Sequence, residues 1–236
     1  MRLSIVIPTW NEADHIEGAL AALQSLRRNG VEIIVVDADS ADGTAGLAGP
    51  LADRVIITAR GRAHQMNAGA AAAHGALLIF LHADTRLPAD ADRAVHTVMQ
   101  SGQRVWGRFD VRIAGRLRLF RVVAASINLR SRLTGIATGD QAMFVRREAF
   151  FAVGGFPDLP LMEDIVLSAR LKRLGPPACL RERVVTSGRR WEQHGLWRTI
   201  LMMWWLRLQF FFGRSAVALA QHYEGKEHTC APPGAK

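Results

Sequence analysis

Several short stretches of the 236-residue sequence carry side chains that can do chemistry. Asp37-Ala38-Asp39-Ser40-Ala41-Asp42-Gly43-Thr44 follows an apolar run. Carboxylates at such a strand end can accept hydrogen bonds from the hydroxyls or base amide of a nucleotide. Ser40 or Asp42 also reads as the cap of a following helix. Arg60-Gly61-Arg62 comes next, then Gln65, Asn67 and Gly69. Glycine lets the backbone approach a ligand, and paired arginines can hold a pyrophosphate; a solvated arginine pair is the plainer reading. Leu77 to Leu81 runs straight into His82-Ala83-Asp84-Thr85. An aspartate there can ligate a hard divalent cation that also touches phosphate oxygens, or it can cap the next segment. Thr138-Gly139-Asp140-Gln141 is followed by the adjacent acids Glu163-Asp164. That pair suits a helix dipole or a general base for a hydroxyl. Arg189-Arg190-Trp191 joins cations to an aromatic surface.

These groups need strands and turns to bring them together. Leu3–Ile7, Glu32–Asp37, Arg54–Thr58 and Leu77–His82 read as short, mostly apolar strands. Ile16, Leu20, Leu23 and Leu26 recur at helical spacing with Asn11 as cap, and His64–Ala73 is helix-prone. The alternation predicts an α/β fold with a mostly parallel, mixed sheet covered by flanking helices, its ligands at the carboxyl ends of the strands. Further on, Arg104–Ile113, Ala142–Val145 and Cys179–Val185 read as strands, and Leu117–Leu133 and Glu163–Leu174 as helices. The expected layout is one domain over 1–195, made of two parts, 1–103 and 104–195. An apolar C-terminal helix over 196–223 and a loose tail over 224–236 follow. Arg207, Arg214 and Gln221 share one face of that helix, and central arginines exclude a simple membrane span. The helix either packs on the domain or lies in a membrane interface.

The net charge is +9, and residues 104–147 supply most of it, with ten arginines against two aspartates. Such a segment attracts nucleic acid, an acidic membrane or a phosphorylated small molecule. No zinc, helix-turn-helix or RNA-binding pattern accompanies it, so no nucleic-acid partner is expected. Neither a dinucleotide fingerprint nor a P-loop is present. Two distant cysteines and the absence of a signal peptide point to a cytoplasmic setting, and the interfacial reading of 196–223 adds contact with a membrane surface.

In order, these pieces resemble glycosyltransferase family 2, with the GT-A fold of nucleotide-diphospho-sugar transferases. The likeness runs from Ile5 to about Trp191. Ile7-Pro8-Thr9-Trp10-Asn11-Glu12 resembles the family's first strand and loop, and Val35 to Thr44 its nucleotide-binding turn. The resemblance places Pro8, Thr9, Asn11, Glu12, Asp37, Asp39, Arg60, Arg62, Gln65 and Asn67 at the donor nucleotide. His82-Ala83-Asp84 occupies the place of the metal-binding DxD, with His82 for the first acid, so Asp84 would hold Mg²⁺ or Mn²⁺. Glu163-Asp164 resembles the Glu-Asp pair whose aspartate is the catalytic base. Arg190-Trp191 resembles the end of the QxxRW motif of processive synthases without its Gln. His82, Arg108, Gly139, Asp140, Arg190 and Trp191 are the expected acceptor or diphosphate contacts. The wording around Gly61, Gln65, His82, Gly107 and Thr138 is similar to a bacterial arsenosugar-biosynthesis or selenodomain-associated subgroup.

The resemblance implies metal-assisted, inverting transfer from a nucleoside-diphosphate sugar to a hydroxyl acceptor, and the arginine-rich segment 104–147 suits an acceptor that is anionic or lipid-linked. A sugar-nucleotide-forming nucleotidyltransferase and a degenerate sugar-nucleotide-binding protein are the alternatives.

Overall fold

The computed structural model describes residues 1–228, without the side chains of 190, 193, 194, 196 and 223–228. The first hundred residues alternate strand and helix: β1 (Leu3–Thr9), α1 (Ala13–Ala21), α2 (Gln24–Arg28), β2 (Glu32–Asp37), α3 (Thr44–Ala48), β3 (Arg54–Ile57), α4 (Arg62–Ala72), β4 (Leu77–Phe80), β5 (Thr85–Arg86) and α5 (Ala91–Gln100). Then come β6 (Trp106–Ala114), α6 (Phe120–Thr134), β7 (Phe144–Arg146), α7 (Arg147–Ala152), α8 (Glu163–Leu171), β8 (Ala178–Ser187), α9 (Arg189–His194), α10 (Leu196–Phe211) and α11 (Ala216–His228).

The strands form one sheet in the order β3-β2-β1-β4-β7-β6-β8-β5. β1 to β4 pair in parallel, β7 runs antiparallel to β4 and β6, β6 is parallel to β8, and β5 is antiparallel to β8. Every residue of β2 and β4 is buried, as strands covered on both faces require. The chain moves outward from β1 through β2 to β3, then crosses back to lay β4 on the other side of β1. That reversal opens a crevice at the carboxyl ends of β1 and β4, where open α/β sheets bind ligands. The single sheet passes through both halves of the 1–195 region, because β4 pairs with β7.

One apolar cluster, including Leu20, Ile33, Val95 and Phe109, fills one face of the sheet. The other face packs Met66, Leu78, Trp106, Phe150 and Leu167. Helix α4 approaches closely because Gly69 has no side chain: a Cβ there would lie 2.3 Å from Val6 Cγ1 and 2.9 Å from Val36 Cγ2.

Several boundaries differ from the sequence reading. The first helix is two helices, and Asn11 does not cap it. Asn11 sits at a φ of 50°, Glu12 holds the N-cap position, and the Asn11 side chain accepts a hydrogen bond from Ala41 N–H. The C-terminal helix breaks at residues 212–215, where Gly213 adopts a φ of 85°. Helix then continues to His228, past the expected start of the tail at 224; residues 229–236 lie outside the described residues. β5, α5, α7 and α9 had no counterpart in the sequence reading, although α5 buries Ala91, Val95 and Met99 at helical spacing.

Helices α10 and α11 pack through Leu206 and Leu219 onto Met162, directly before α8. The opposite face of α10 exposes Trp197, Leu201, Trp204, Leu208 and Phe211. One face of the helix thus packs on the domain, as one of the two sequence readings has it, and the other face is open.

Gly69→Ala should destabilise the protein by about 1–3 kcal/mol despite alanine's better helix propensity, because the α4–β1 contact has no room for a methyl group. Urea denaturation reads this directly; an unchanged or raised stability contradicts the close packing.

Candidate active site

The loops after β1 and β2 are laced together by side chains. Thr9 Oγ1 donates to Asp37 Oδ1 at 2.9 Å, Ser40 Oγ to the same oxygen at 2.7 Å, and Ser40 N–H to Asp37 Oδ2 at 2.7 Å. Asp37 is 1% exposed. Asp42 accepts from the Thr44 hydroxyl, Thr44 N–H and Ala13 N–H. These bonds, the Thr44 hydroxyl first, hold its carboxyl below the usual aspartate range. Gln65 donates to Thr9 O and Val36 O, both at 2.8 Å. So Thr9, Asp37 and Gln65 fix the shape of the crevice floor, and Pro8, within β1, is half-buried beside them. Asp39 is exposed at the rim, and Arg60 stacks 3.6 Å above the half-exposed Trp10 ring. That flat cation–aromatic surface can receive a planar ring. Trp10 was not singled out from the sequence; its position inside the Thr9–Glu12 loop was the available signal.

The opposite wall comes from β4, a turn and the start of α8. Met66, Phe80, His82, Gly139, Glu163 and Asp164 line one pocket, which holds about 230 Å³ of space including open solvent. The Asp164 carboxylate accepts from Gly139 N–H at 2.8 Å and Ile165 N–H at 2.7 Å. Gly139 lies flat against His82: a Cβ on it would be 2.4 Å from the imidazole. Glu163 is buried, and its Oε1 accepts from Arg62 at 3.5 Å.

Burial pushes the Glu163 carboxyl up to about 7, with the neighbouring Asp164 charge adding and Arg62 opposing. Burial also raises Asp164, against its two backbone donors, and Asp140 adds to the rise. Two adjacent acids in one apolar pocket cannot both ionise freely.

Asp84 is exposed at the end of β4, and its Oδ1 accepts from Thr85 Oγ1 at 3.2 Å. Glu12 is raised mainly by burial, and the Asp84 charge adds to the rise. Two carboxylates therefore face one region at the sheet edge, a donor set that suits a divalent cation sharing phosphate oxygens. Among the described residues, no group of three or more His, Cys, Asp or Glu side chains forms a protein-only metal cage.

Three expected contacts are corrected. Arg108 is completely buried, and its guanidinium pairs with Asp110, Ser131 Oγ and Asn128 O, so no atom remains for a ligand. Asn67 exchanges both side-chain bonds with the Phe156 backbone. The Gln65 amide N–H groups are bound to the two strand carbonyls, so Gln65 shapes the floor rather than touching the donor. Of the remaining expected contacts, Asp140 is half-buried next to Gly139, and Trp191 packs partly buried against the core. The Arg190 side chain lies outside the described residues.

Four non-glycine residues have left-handed φ: Asn11 (50°), Asp39 (53°), Ala142 (45°) and Met162 (70°). All four flank this crevice, where strain of roughly 1 kcal/mol or more each concentrates in functional sites.

The sequence pattern of glycosyl transferase family 2 matches residues 4–154, and the chain belongs to that family. Its fold is that of GT-A glycosyltransferases, with helices on both faces of a mixed sheet. The chain is similar to TarS of S. aureus, at 15% identity and a TM-score of 0.64, over 79% of this chain and 37% of TarS. It is similar to the mannosyltransferase PcManGT from Pyrobaculum calidifontis, solved with GDP-Man and Mn2+, at 24% identity and a TM-score of 0.58, over 78% of this chain and 56% of that one. Mannosyl-3-phosphoglycerate synthase from Rubrobacter xylanophilus aligns over 100% of this chain and 79% of its own, at 23% identity and a TM-score of 0.60. This chain thus spans 37% of TarS and 56% of PcManGT, less than two thirds of either. Comparison with curated protein sequences gives no match.

Because the Glu163 carboxyl is higher in the folded protein than in the unfolded chain, its contribution is fully present below about pH 4.5 and is lost as pH climbs through about 7. The unliganded protein should lose up to about 3 kcal/mol over that window from this group. Glu163→Gln should flatten the fall in a series of urea titrations at pH 5 to 8. An identical slope in the variant contradicts the burial of an acid there.

Proposed function

We propose that the protein transfers a sugar from a nucleoside-diphosphate sugar to a hydroxyl acceptor with inversion, using Asp164 as general base. The observation that carries this reading is the Glu163–Asp164 pair, set in a pocket with His82 at the strand-reversal crevice of a family 2 chain. A base works best when its pKa approaches the working pH, and burial moves Asp164 in that direction. Its two backbone N–H donors fix the carboxylate's orientation. Asp164 would accept the acceptor's proton as that oxygen bonds to the anomeric carbon. The anomeric C–O bond to the diphosphate breaks in the same step, and its electron pair leaves with the diphosphate.

The donor half, 1–103, would seat the nucleotide. Its base would meet the Trp10–Arg60 surface, its ribose Asp39 and the loop of Asn11, and its diphosphate Arg62. Asp84, with Glu12 nearby, would hold Mg²⁺ or Mn²⁺, which when bound neutralises charge on the departing diphosphate. PcManGT was crystallised with Mn2+ and GDP-Man, which supports a cation and a nucleotide sugar here. The acceptor half, 104–195, would bring the hydroxyl to Asp164. The likeness to the arsenosugar-type subgroup is compatible with this chemistry.

Helix α10 contains arginines but no acid, and it exposes three large aromatic and two leucine side chains along one face. Among the described residues no helix is long and apolar enough to cross a membrane. We read this face as resting on an anionic membrane surface at its cytoplasmic side, with Trp at the headgroups.

Asp164→Asn should lower transfer by roughly 10²–10⁴-fold, the range for a lost general base, while nucleotide-diphosphate affinity stays within about threefold. Unchanged turnover removes Asp164 as base. For the helix, co-sedimentation with phosphatidylglycerol vesicles should fall sharply in the triple variant Trp197→Ser, Trp204→Ser, Phe211→Ser; equal binding by both proteins contradicts the surface contact.

A further inference from the structure

The arginine-rich segment looks different once each side chain is placed. Arg104 donates to Pro176 O, Arg132 to Asp110 and Cys179 O, Arg146 to Met99 O, and Arg108 is wholly paired. Arg112, Arg116, Arg118 and Arg121 are exposed to solvent. Arg130 does neither. It sits on α6, and its Nε and Nη2 are shut off from water with no hydrogen-bond partner. Guanidinium nitrogens shut off from water without partners are costly, and native proteins keep such groups where something completes them.

Its surroundings say what that is. The Arg130 guanidinium lies in the field of Arg207 on α10 and of Arg108, and of the Asp140 and Asp164 carboxylates. Burial and the Arg207 charge pull it down to about 10. Arg207 also acts on Asp164, favouring its charged form. The two arginines thus approach the catalytic pair from α6 and α10, whereas Arg62 meets Glu163 from α4. The Asp164 oxygens already accept two backbone bonds, and Arg130 forms no ion pair with either aspartate among the described residues. What fits next to two guanidiniums is an oxyanion of charge near −2 with several acceptor oxygens, which paired forks hold well.

We infer that Arg130 and Arg207 form an anion subsite for a phosphate group carried by the acceptor, holding it so that its hydroxyl reaches Asp164. This rests on the transferase reading for the roles of donor and base. It assigns the acceptor's recognition to two arginines next to the active site, not to the exposed run of Arg112, Arg116 and Arg118. Fixing one end of the acceptor by charge turns a loose encounter into an oriented one.

The test uses the full chain and two variants, Arg130→Met and Arg207→Gln. Calorimetry and thermal shift are run with inorganic phosphate, glycerol 3-phosphate, glycerol, and vesicles containing phosphatidic acid, each with and without saturating UDP or GDP and Mn²⁺. Glycerol 3-phosphate or the phosphatidic acid vesicles should bind the wild type, and the arm that binds identifies a soluble or a lipid-linked acceptor. Glycerol should not bind. Each variant should weaken that binding at least tenfold while nucleotide affinity is unchanged. Arg130→Met without ligand should melt at or above the wild-type temperature, because an unpaired buried charge is gone; a purely structural arginine would give a lower one. Equal phosphate binding by wild type and both variants overturns the subsite. So does displacement of phosphate by the nucleotide, which would make this the donor's diphosphate site. Failure of every nucleotide to bind the wild type, with Arg130-dependent phosphate binding intact, overturns the transferase reading and leaves the subsite standing.

Discussion

The hydrogen bond from Gly139 N–H to Asp164 holds the site together. It joins the turn before β7 to the first turn of α8, and it forms only because Gly139 has no side chain against the His82 ring. His82 in turn stands at the end of β4, the strand the chain lays down after crossing back over β1. One contact therefore ties the sheet's reversal point to the acidic pair. The strained backbone at Met162 directly before α8, and at Ala142 directly after the turn, fits a carboxylate held in one place by segments that would otherwise relax.

The electrostatics follow from burial more than from net charge. Glu163 and Asp164 share an apolar pocket, so both carboxyls rise, and the Arg62 cation only partly offsets this for Glu163. The +9 of the chain contributes little to that balance. Half of the arginines between 104 and 147 are tied to backbone carbonyls or to Asp110, and others lie in solvent. A charge count along the sequence cannot separate these fates, because each depends on which carbonyl the fold delivers to each guanidinium. Arg130 is the case where the fold delivers none.

The parallel half of the sheet was legible in the sequence because β1, β2 and β4 are runs of buried Ile, Val and Leu ended by polar turns. The carboxyl-edge position of His82, Asp84, Asp37 and Asp39 followed from those runs. What was not legible is the division of labour among similar residues. Asp37 and Asp39 look alike in the motif, but one is tied into the floor and the other is exposed at the rim. Gln65 and Asn67 read as ligand contacts, yet helix α4 turns their amides onto strand carbonyls and onto Phe156. Arg108 reads as a cation for phosphate but points into the β6–α6 interface, where Asp110 neutralises it. The α10 break at Gly213 was hidden by unbroken apolarity, since hydrophobic content carries no information on a left-handed φ.

The proposed chemistry turns on direct displacement at the anomeric carbon of a nucleoside-diphosphate sugar. Water can stand in for the acceptor, so the most direct measurement is proton NMR of the sugar first released when the protein and Mn²⁺ are incubated with a panel of nucleotide sugars. One donor should be consumed with release of its nucleoside diphosphate, and the first-formed sugar should have the opposite anomeric configuration. Release with retained configuration, or no consumption of any donor, would contradict it.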